Sequence, residues 1–184
     1  MKKDVTYALF GGSFDPPHLG HSEIIKRVLE LKDVDRVLVV PTFLNPFKSS
    51  LNAQSKTKLE WVKEVFNFKN VIVSNYEIEQ ARAVYTVETF RELSKIYKIK
   101  YIIIGADNLS TLPKWREFDF LNSKVCWIVV TRDDIELDFS YLREYKTLPI
   151  SIDVSSSKIR DGKLLEFVDE KIKSQVLLEY NIII

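Results

Sequence analysis

The sequence predicts an α/β fold: one domain over residues 1–184, a doubly wound (Rossmann-like) parallel sheet with helices on both faces. Three observations carry this expectation. Short β-branched runs alternate with stretches of helical period, and parallel strands need the crossover connections such helices supply. The runs VLVV and IIIG are apolar throughout, as strands covered on both faces are. Every compositionally unusual segment (11–21, 41–48, 105–108 and 153–160) follows a strand-like run, and open α/β sheets bind ligands at the carboxyl ends of their strands.

Taken in order, VTYALF (5–10) reads as a buried strand ending at Gly11. Ile24, Ile25, Val28 and Leu29 keep helical spacing between Leu19 and Leu31. RVLVV (36–40) is the next strand, closed by Pro41, and 42–55 has no consistent period and reads as a long loop. Leu59, Val62, Val65 and Phe66 mark a second helix, followed by the strand VIVSNYE (71–77). A third helix is expected from Thr86 to Tyr97, with Val87, Phe90 and Leu93 inward, then the strand YIIIG (101–105). A short aromatic-rich helical segment near Trp115 and Phe118 precedes the strand VCWIVV (125–130), and LPISIDV (148–154) is expected to be the last strand. From Ser155 the chain reads as helical, with Val168, Ile172 and Val176 on one face. Trp61 and Trp127 are expected in the core.

At 184 residues, 46% of them hydrophobic, the chain can bury a core without disulfide or metal staples. Its 27 basic and 26 acidic residues leave a formal charge of +1, which argues against a nucleic-acid or membrane-surface binder. The single cysteine, Cys126, lies in an apolar run, so no disulfide framework or thiolate metal cluster is expected. No apolar stretch approaches the ~18 residues of a membrane span, and MKKDVTYALF lacks the shape of a signal peptide. A cytoplasmic protein is expected, with homo-oligomerisation open.

Both histidines and three of the five glycines fall in GGSFDPPHLGH (11–21). A strand, a glycine pair and a helix start give backbone that can approach a phosphate at the positive end of a helix. The spacing is neither GxGxxG nor GxxxxGK[ST]. His18 and His21, three apart at the helix start, can point the same way, with Gly20 leaving room for a bulky ligand between them. They could donate hydrogen bonds to a phosphoryl transition state, or simply cap the helix. Two histidines without a third ligand make a poor zinc site, and no protein-held metal is expected.

The segment resembles the HxGH signature of the nucleotidyltransferases, in a form close to that of the bacterial nicotinate-nucleotide adenylyltransferases. Four more segments are similar to that family in order: NPFK (45–48), YTVETF (85–90), IGADNLSTLPKW (104–115) and VSSSKIR (154–160). Departures are Phe47 where the family has histidine, Lys58 for a frequent arginine, Glu88 for aspartate and Ser157 for threonine. The resemblance implies ATP contacts from Gly11, Gly12, Ser13, Phe14, Gly20, Gly105, Asp107, Ser155, Ser156, Ser157 and Ile159. It implies acceptor contacts from Lys48, Tyr85, Thr86 and Trp115, and catalytic roles for His18, His21, Lys48 and Arg160.

Elementary chemistry suits those assignments. Three serines before an apparent helix can cap it and bind an anion, beside the fixed donor fork of Arg160. Thr86 is a natural N-cap that would leave the Val87 and Glu88 amides free for a carboxylate, and capping alone explains it equally. Trp115, between Lys114 and Arg116, offers a face for ring stacking or for the core. The implied reaction is adenylyl transfer from ATP to nicotinate mononucleotide, giving deamido-NAD and pyrophosphate, with Mg²⁺ on the phosphates. Open alternatives are nicotinamide mononucleotide as acceptor, a pantetheine-phosphate adenylyltransferase or cytidylyltransferase, and a silent nucleotide-binding regulator.

Overall fold

The computed structural model describes residues 5–44, 53–131 and 137–183. Six parallel strands form one sheet: β1 (Thr6–Gly12), β2 (Arg36–Pro41), β3 (Val71–Val73), β4 (Lys98–Gly105), β5 (Cys126–Thr131) and β6 (Tyr145–Pro149). Their order is β3-β2-β1-β4-β5-β6. Leu9 pairs with Leu38 on one side and Ile102 on the other, which makes β1 the centre of the sheet. The chain leaves β1 in one direction for β2 and β3 and later returns for β4 to β6. A crevice therefore opens at the carboxyl ends of β1 and β4, where ligands bind in such sheets.

Period-two alternation divides the core into two layers. Ala8, Phe10, Val37, Val39 and Ile103 face one side, packed with Trp61, Ile25 and Ile172. Tyr7, Leu9, Leu38, Val40, Ile102 and Ile104 face the other, with Phe90, Leu112 and Trp127. The first layer is covered by α1 (Leu19–Leu29), α2 (Ser55–Val65), α6 (Ser156–Arg160) and α7 (Glu170–Glu179). Over the second lie α4 (Thr86–Leu93), a 3₁₀ segment (Ala106–Lys114) and α5 (Phe118–Lys124). Trp61 and Trp127 are fully buried, as expected.

Several boundaries differ from the periodicity. The strand expected over 71–77 ends at Val73, because the Ser74 hydroxyl accepts the Tyr76 amide at 3.2 Å and turns the chain into the short helix α3 (Tyr76–Gln80). The last strand pairs at 145–149, not 148–154, and breaks off at Pro149, which has no amide to donate onward. Polar Lys146 and Thr147 are tolerated there because β6 is an edge strand. The C-terminal part is not one helix: Gly162, at φ +75°, ends α6, and a 3₁₀ turn (Leu165–Phe167) precedes α7. Val168, Ile172 and Val176 nonetheless share one buried face. In α2 the buried face begins with Ser55 and Lys58, while Leu59 stays half-buried.

Helix α7 is fastened to the site side of the molecule by two long-range bonds. The Trp61 indole donates to Gln175 Oε1 at 2.8 Å, and the Tyr180 hydroxyl donates to Asp15 Oδ1 at 2.6 Å. Removing the second in Tyr180→Phe takes a donor from a buried carboxylate. That should cost about 2 kcal/mol, a fall of roughly 6 °C in Tm; an unchanged melting curve would show that the bond contributes nothing.

Candidate active site

A cleft of ≈ 460 Å³ occupies the crevice. Its floor is the ends of β1, β2 and β4, with Gly11, Gly12, Val40 and Gly105. Helix α1 contributes His21, α3 Glu77, and the start of α4 Tyr85, Thr86 and Thr89. Asp107, Asn108, Thr111, Trp115 and Arg116 come from the 3₁₀ segment and the turn after it.

The histidines are ordered by the helix start. His18 is the N-cap of α1 in extended conformation, and its amide donates to His21 Nδ1 at 3.2 Å. That bond places the His21 ring proton on Nε2. The two rings stack at 3.6 Å and 20°, so they present their edges together, as the spacing suggested. His18 is buried, and only His21 reaches the cleft.

Three residues expected at the ligand, Phe14, Gly20 and Ile159, are closely packed in the structure. Phe14, at φ +44°, is buried edge-on against Phe10, His21 and Phe66, so its ring supports the His21 imidazole. A Cβ on Gly12 would meet that ring at 2.9 Å, whereas one on Gly11 would meet nothing within 4 Å. Gly11 is thus the glycine that leaves the strand end open. Gly20 is closely packed as well: a Cβ there would lie 2.7 Å from Val154 Cγ1 and 3.1 Å from His18 Nδ1. Ile159 is wholly buried, and its amide donates to the Ser155 carbonyl, so it anchors α6.

The serine and arginine group lies against the loop after β1, apart from the residues that line the cleft. Ser156 Oγ donates to the Pro16 carbonyl at 2.8 Å, Arg160 Nη1 donates to the Asp15 carbonyl, and Arg160 Nη2 donates to Ser157 Oγ at 3.3 Å. Ser155 caps α6, its hydroxyl accepting the Lys158 amide at 3.3 Å. Ser13 lies in the same loop, between Gly12 and Phe14. Lys48 and Phe47 lie outside the described residues. Lys58, 1% exposed, donates from Nζ to the carbonyls of Thr42 at 3.0 Å and Phe43 at 3.4 Å, fixing the chain that leaves β2.

At α4 the cap is one residue earlier than expected. Tyr85 is the N-cap, and Glu88 reaches back to its amide at 3.3 Å while the Glu88 amide donates to the Tyr85 carbonyl at 2.8 Å. The amides left open in the first turn are those of Thr86 and Val87, and Glu88's is taken. Glu88 is held in that role by Arg82, whose guanidinium donates to it at 2.8 Å and lowers its pKa. Trp115 is half-buried, edge-on to Trp127 at 6.3 Å, and the Arg116 guanidinium sits 5.1 Å over the Tyr85 ring. Asp107 is exposed and accepts from Asn108 Nδ2 at 3.2 Å. A Cβ on Gly105 would lie 2.2 Å from Asp107 Oδ1, so glycine lets that carboxylate fold over the strand end.

Sequence reasoning missed Glu77, Thr89, Asn108, Thr111 and Arg116. The three-residue spacings Thr86–Thr89 and Asn108–Thr111 were available as polar stripes on one helical face. Glu77 was hidden in a segment assigned to a strand. It is buried, accepts the Thr89 hydroxyl at 2.5 Å, and burial pushes it up to about 7.

A glycine-floored cleft at the sheet's switch point, with stacked imidazoles at one helix start and open amides at another, defines a nucleotide-handling enzyme fold. The chain belongs to the cytidylyltransferase-like family, whose model matches residues 9–162. Within that class it is similar to the probable nicotinate-nucleotide adenylyltransferase of Sulfurovum sp. (strain NBC37-1), at 42% identity over 92% of this chain and 90% of that protein. It is similar also to the Sulfurimonas denitrificans protein of the same description, at 43% over 93% and 92%. The solved Plasmodium falciparum nicotinic acid mononucleotide adenylyltransferase complexed with NaAD has the same fold, with TM-score 0.77 at 19% identity and 97% coverage of both chains.

The Gly20 packing is directly testable. Gly20→Ala should destabilise by about 1–3 kcal/mol through overpacking, and Val154→Ala should recover part of that loss in the double variant. Thermal denaturation of the three variants checks both; additive losses would show that Val154 is not what fills the space.

Proposed function

We propose that this chain transfers the adenylyl group of ATP to nicotinate mononucleotide, releasing pyrophosphate and giving deamido-NAD for NAD biosynthesis in the cytoplasm. The single observation that carries the proposal is the cleft itself, which brings Gly11, His21, Thr86 and Trp115 to one cavity from four separate segments. The relatives' descriptions support the choice of acceptor.

In this reading the acceptor's 5′-phosphate oxygen attacks the α-phosphorus, a new P–O bond forms, and the bond to pyrophosphate breaks. The nucleophile is already anionic, so no covalent intermediate or activating base is required, and the enzyme's work is alignment and charge neutralisation. Gly11 lets the α-phosphate approach the strand end, and His21 Nε2–H donates to it, with His18 stacked behind. Arg160 and Ser156 hold the loop that leads to the histidines; Arg160 and Lys48 lend positive charge to the triphosphate, and the hydroxyls of Ser155–Ser157 add hydrogen bonds to it. Asp107 takes the ribose hydroxyls, Trp115 stacks on the pyridine ring, and the Thr86 and Val87 amides receive the ring carboxylate. Among the described residues no group of three or more His, Cys, Asp or Glu could hold a metal. Mg²⁺ bound with ATP would neutralise phosphate charge.

Two measurements test this. His21→Ala should lower kcat about a hundredfold, near 3 kcal/mol, and His18→Ala, which removes the ring stacked behind His21, should lower kcat by a smaller factor, while acceptor KM changes little; near-normal turnover in the double variant would remove the imidazoles from the phosphate site. Charge-assisted bonds to the Thr86 and Val87 amides should favour nicotinate over nicotinamide mononucleotide by at least ~tenfold in kcat/KM. A pyrophosphate-release assay with both acceptors checks this, and equal use would exclude a carboxylate-reading helix start.

A further inference from the structure

The acceptor end of the cleft holds a carboxyl group that phosphate chemistry does not use. Glu77 is 4% exposed and lines the same cavity as Tyr85, Thr86 and Trp115. Its Oε1 accepts the Thr89 hydroxyl at 2.5 Å, while Oε2, equally enclosed, has no hydrogen-bond partner among the described residues. As an anion, Glu77 leaves Oε2 desolvated without a donor among the described residues; as an acid, it carries there a buried O–H that a bound ligand can accept.

The surroundings decide between the two forms. Burial disfavours the anion most, and Glu88 on α4 adds to this, whereas the Thr89 hydroxyl and Lys58 on α2 favour it. β2, against which α3 packs, presents apolar Val40 to the cavity. Tyr76 is the titratable neighbour on α3, and His21, Asp107 and Arg116 line the remainder of the cleft. The result is a group pushed up to about 7. An acceptor with a ring carboxylate brings a further negative charge into this cavity, which disfavours the Glu77 anion again.

We propose that Glu77 is a specificity-determining residue of the acceptor pocket, taking up a proton as the acid-bearing acceptor binds and meeting the bound carboxylate as a neutral acid. This rests on the reading that the cleft takes nicotinate mononucleotide. The proton comes from solvent, and no bond to the substrate is made or broken. Acid binding is then strongest where Glu77 is already protonated and declines as pH rises through about 7. A nicotinamide acceptor, neutral at that position, shows no such decline.

The experiment compares wild type with Glu77→Gln and Thr89→Val, using nicotinate and nicotinamide mononucleotides. Binding is followed by calorimetry in buffers of different ionisation enthalpy, and kcat/KM is followed across pH. Wild type should take up more protons than Glu77→Gln on binding the acid. Its kcat/KM for the acid, relative to that of Glu77→Gln, should fall roughly fivefold between about pH 6 and about pH 8. Thr89→Val removes a donor that stabilises the anion, so the inflection should move to higher pH, and this variant decides the matter if Glu77→Gln does not fold. Equal proton uptake and superimposable pH profiles, or an unmoved inflection in Thr89→Val, would overturn the assignment while leaving adenylyl transfer intact. Failure of both acceptors to bind or turn over would overturn the functional reading and this inference together.

Discussion

The carboxylate of Asp15, 4% exposed behind the loop that follows β1, accepts the Ala53 amide at 3.3 Å and the Tyr180 hydroxyl at 2.6 Å. Its backbone carbonyl receives Arg160, and the next carbonyl, of Pro16, receives Ser156. A buried carboxylate is costly unless donors surround it, so the segments supplying those donors must converge on this loop. The loop in turn sets Phe14 and the start of α1, and these fix the planes of His18 and His21. The groups facing the cleft depend on a residue that does not line it.

The same division of labour recurs around the cavity. Residues that face it are held by others that do not, through contacts with little tolerance. Val154 occupies the space that glycine leaves at position 20, and the Phe14 ring does so at position 12. Glu88 pins the first turn of α4 and is pinned by Arg82. Lys58 spends its ammonium on two backbone carbonyls after β2. Such fixed dipoles and charges suit chemistry that relies on alignment, because they need no reorganisation when the phosphates arrive.

The architecture was legible because buried parallel strands write themselves as apolar runs, and β1, β2, β4 and β5 are such runs. Edge strands were less so: β3 has three residues and β6 carries polar side chains, since each is covered on one edge only. Of the site, the paired histidines, Gly11 and Trp115 could be found from local spacing and residue chemistry. The packing of Gly20 against Val154, of Phe14 against His21 and of Ile159 in the core could not be read from the signature, which marks positions a site requires without saying what they touch. Glu77 was out of reach, since its burial depends on Ser74 turning the chain and on Thr89 meeting it from another helix.

The bond from Tyr180 to Asp15 spans 165 positions, and that from Ser156 to Pro16 spans 140. Contacts of that range close the largest loops in the chain, so their entropy must be met before they return any stability. The loop before α1 is therefore tied to the last segments of the chain to be synthesised. The Asp15 carboxylate has both of its described donors only when the chain extends to Tyr180. The shape of the loop at one end of the chain thus rests on side chains at the other.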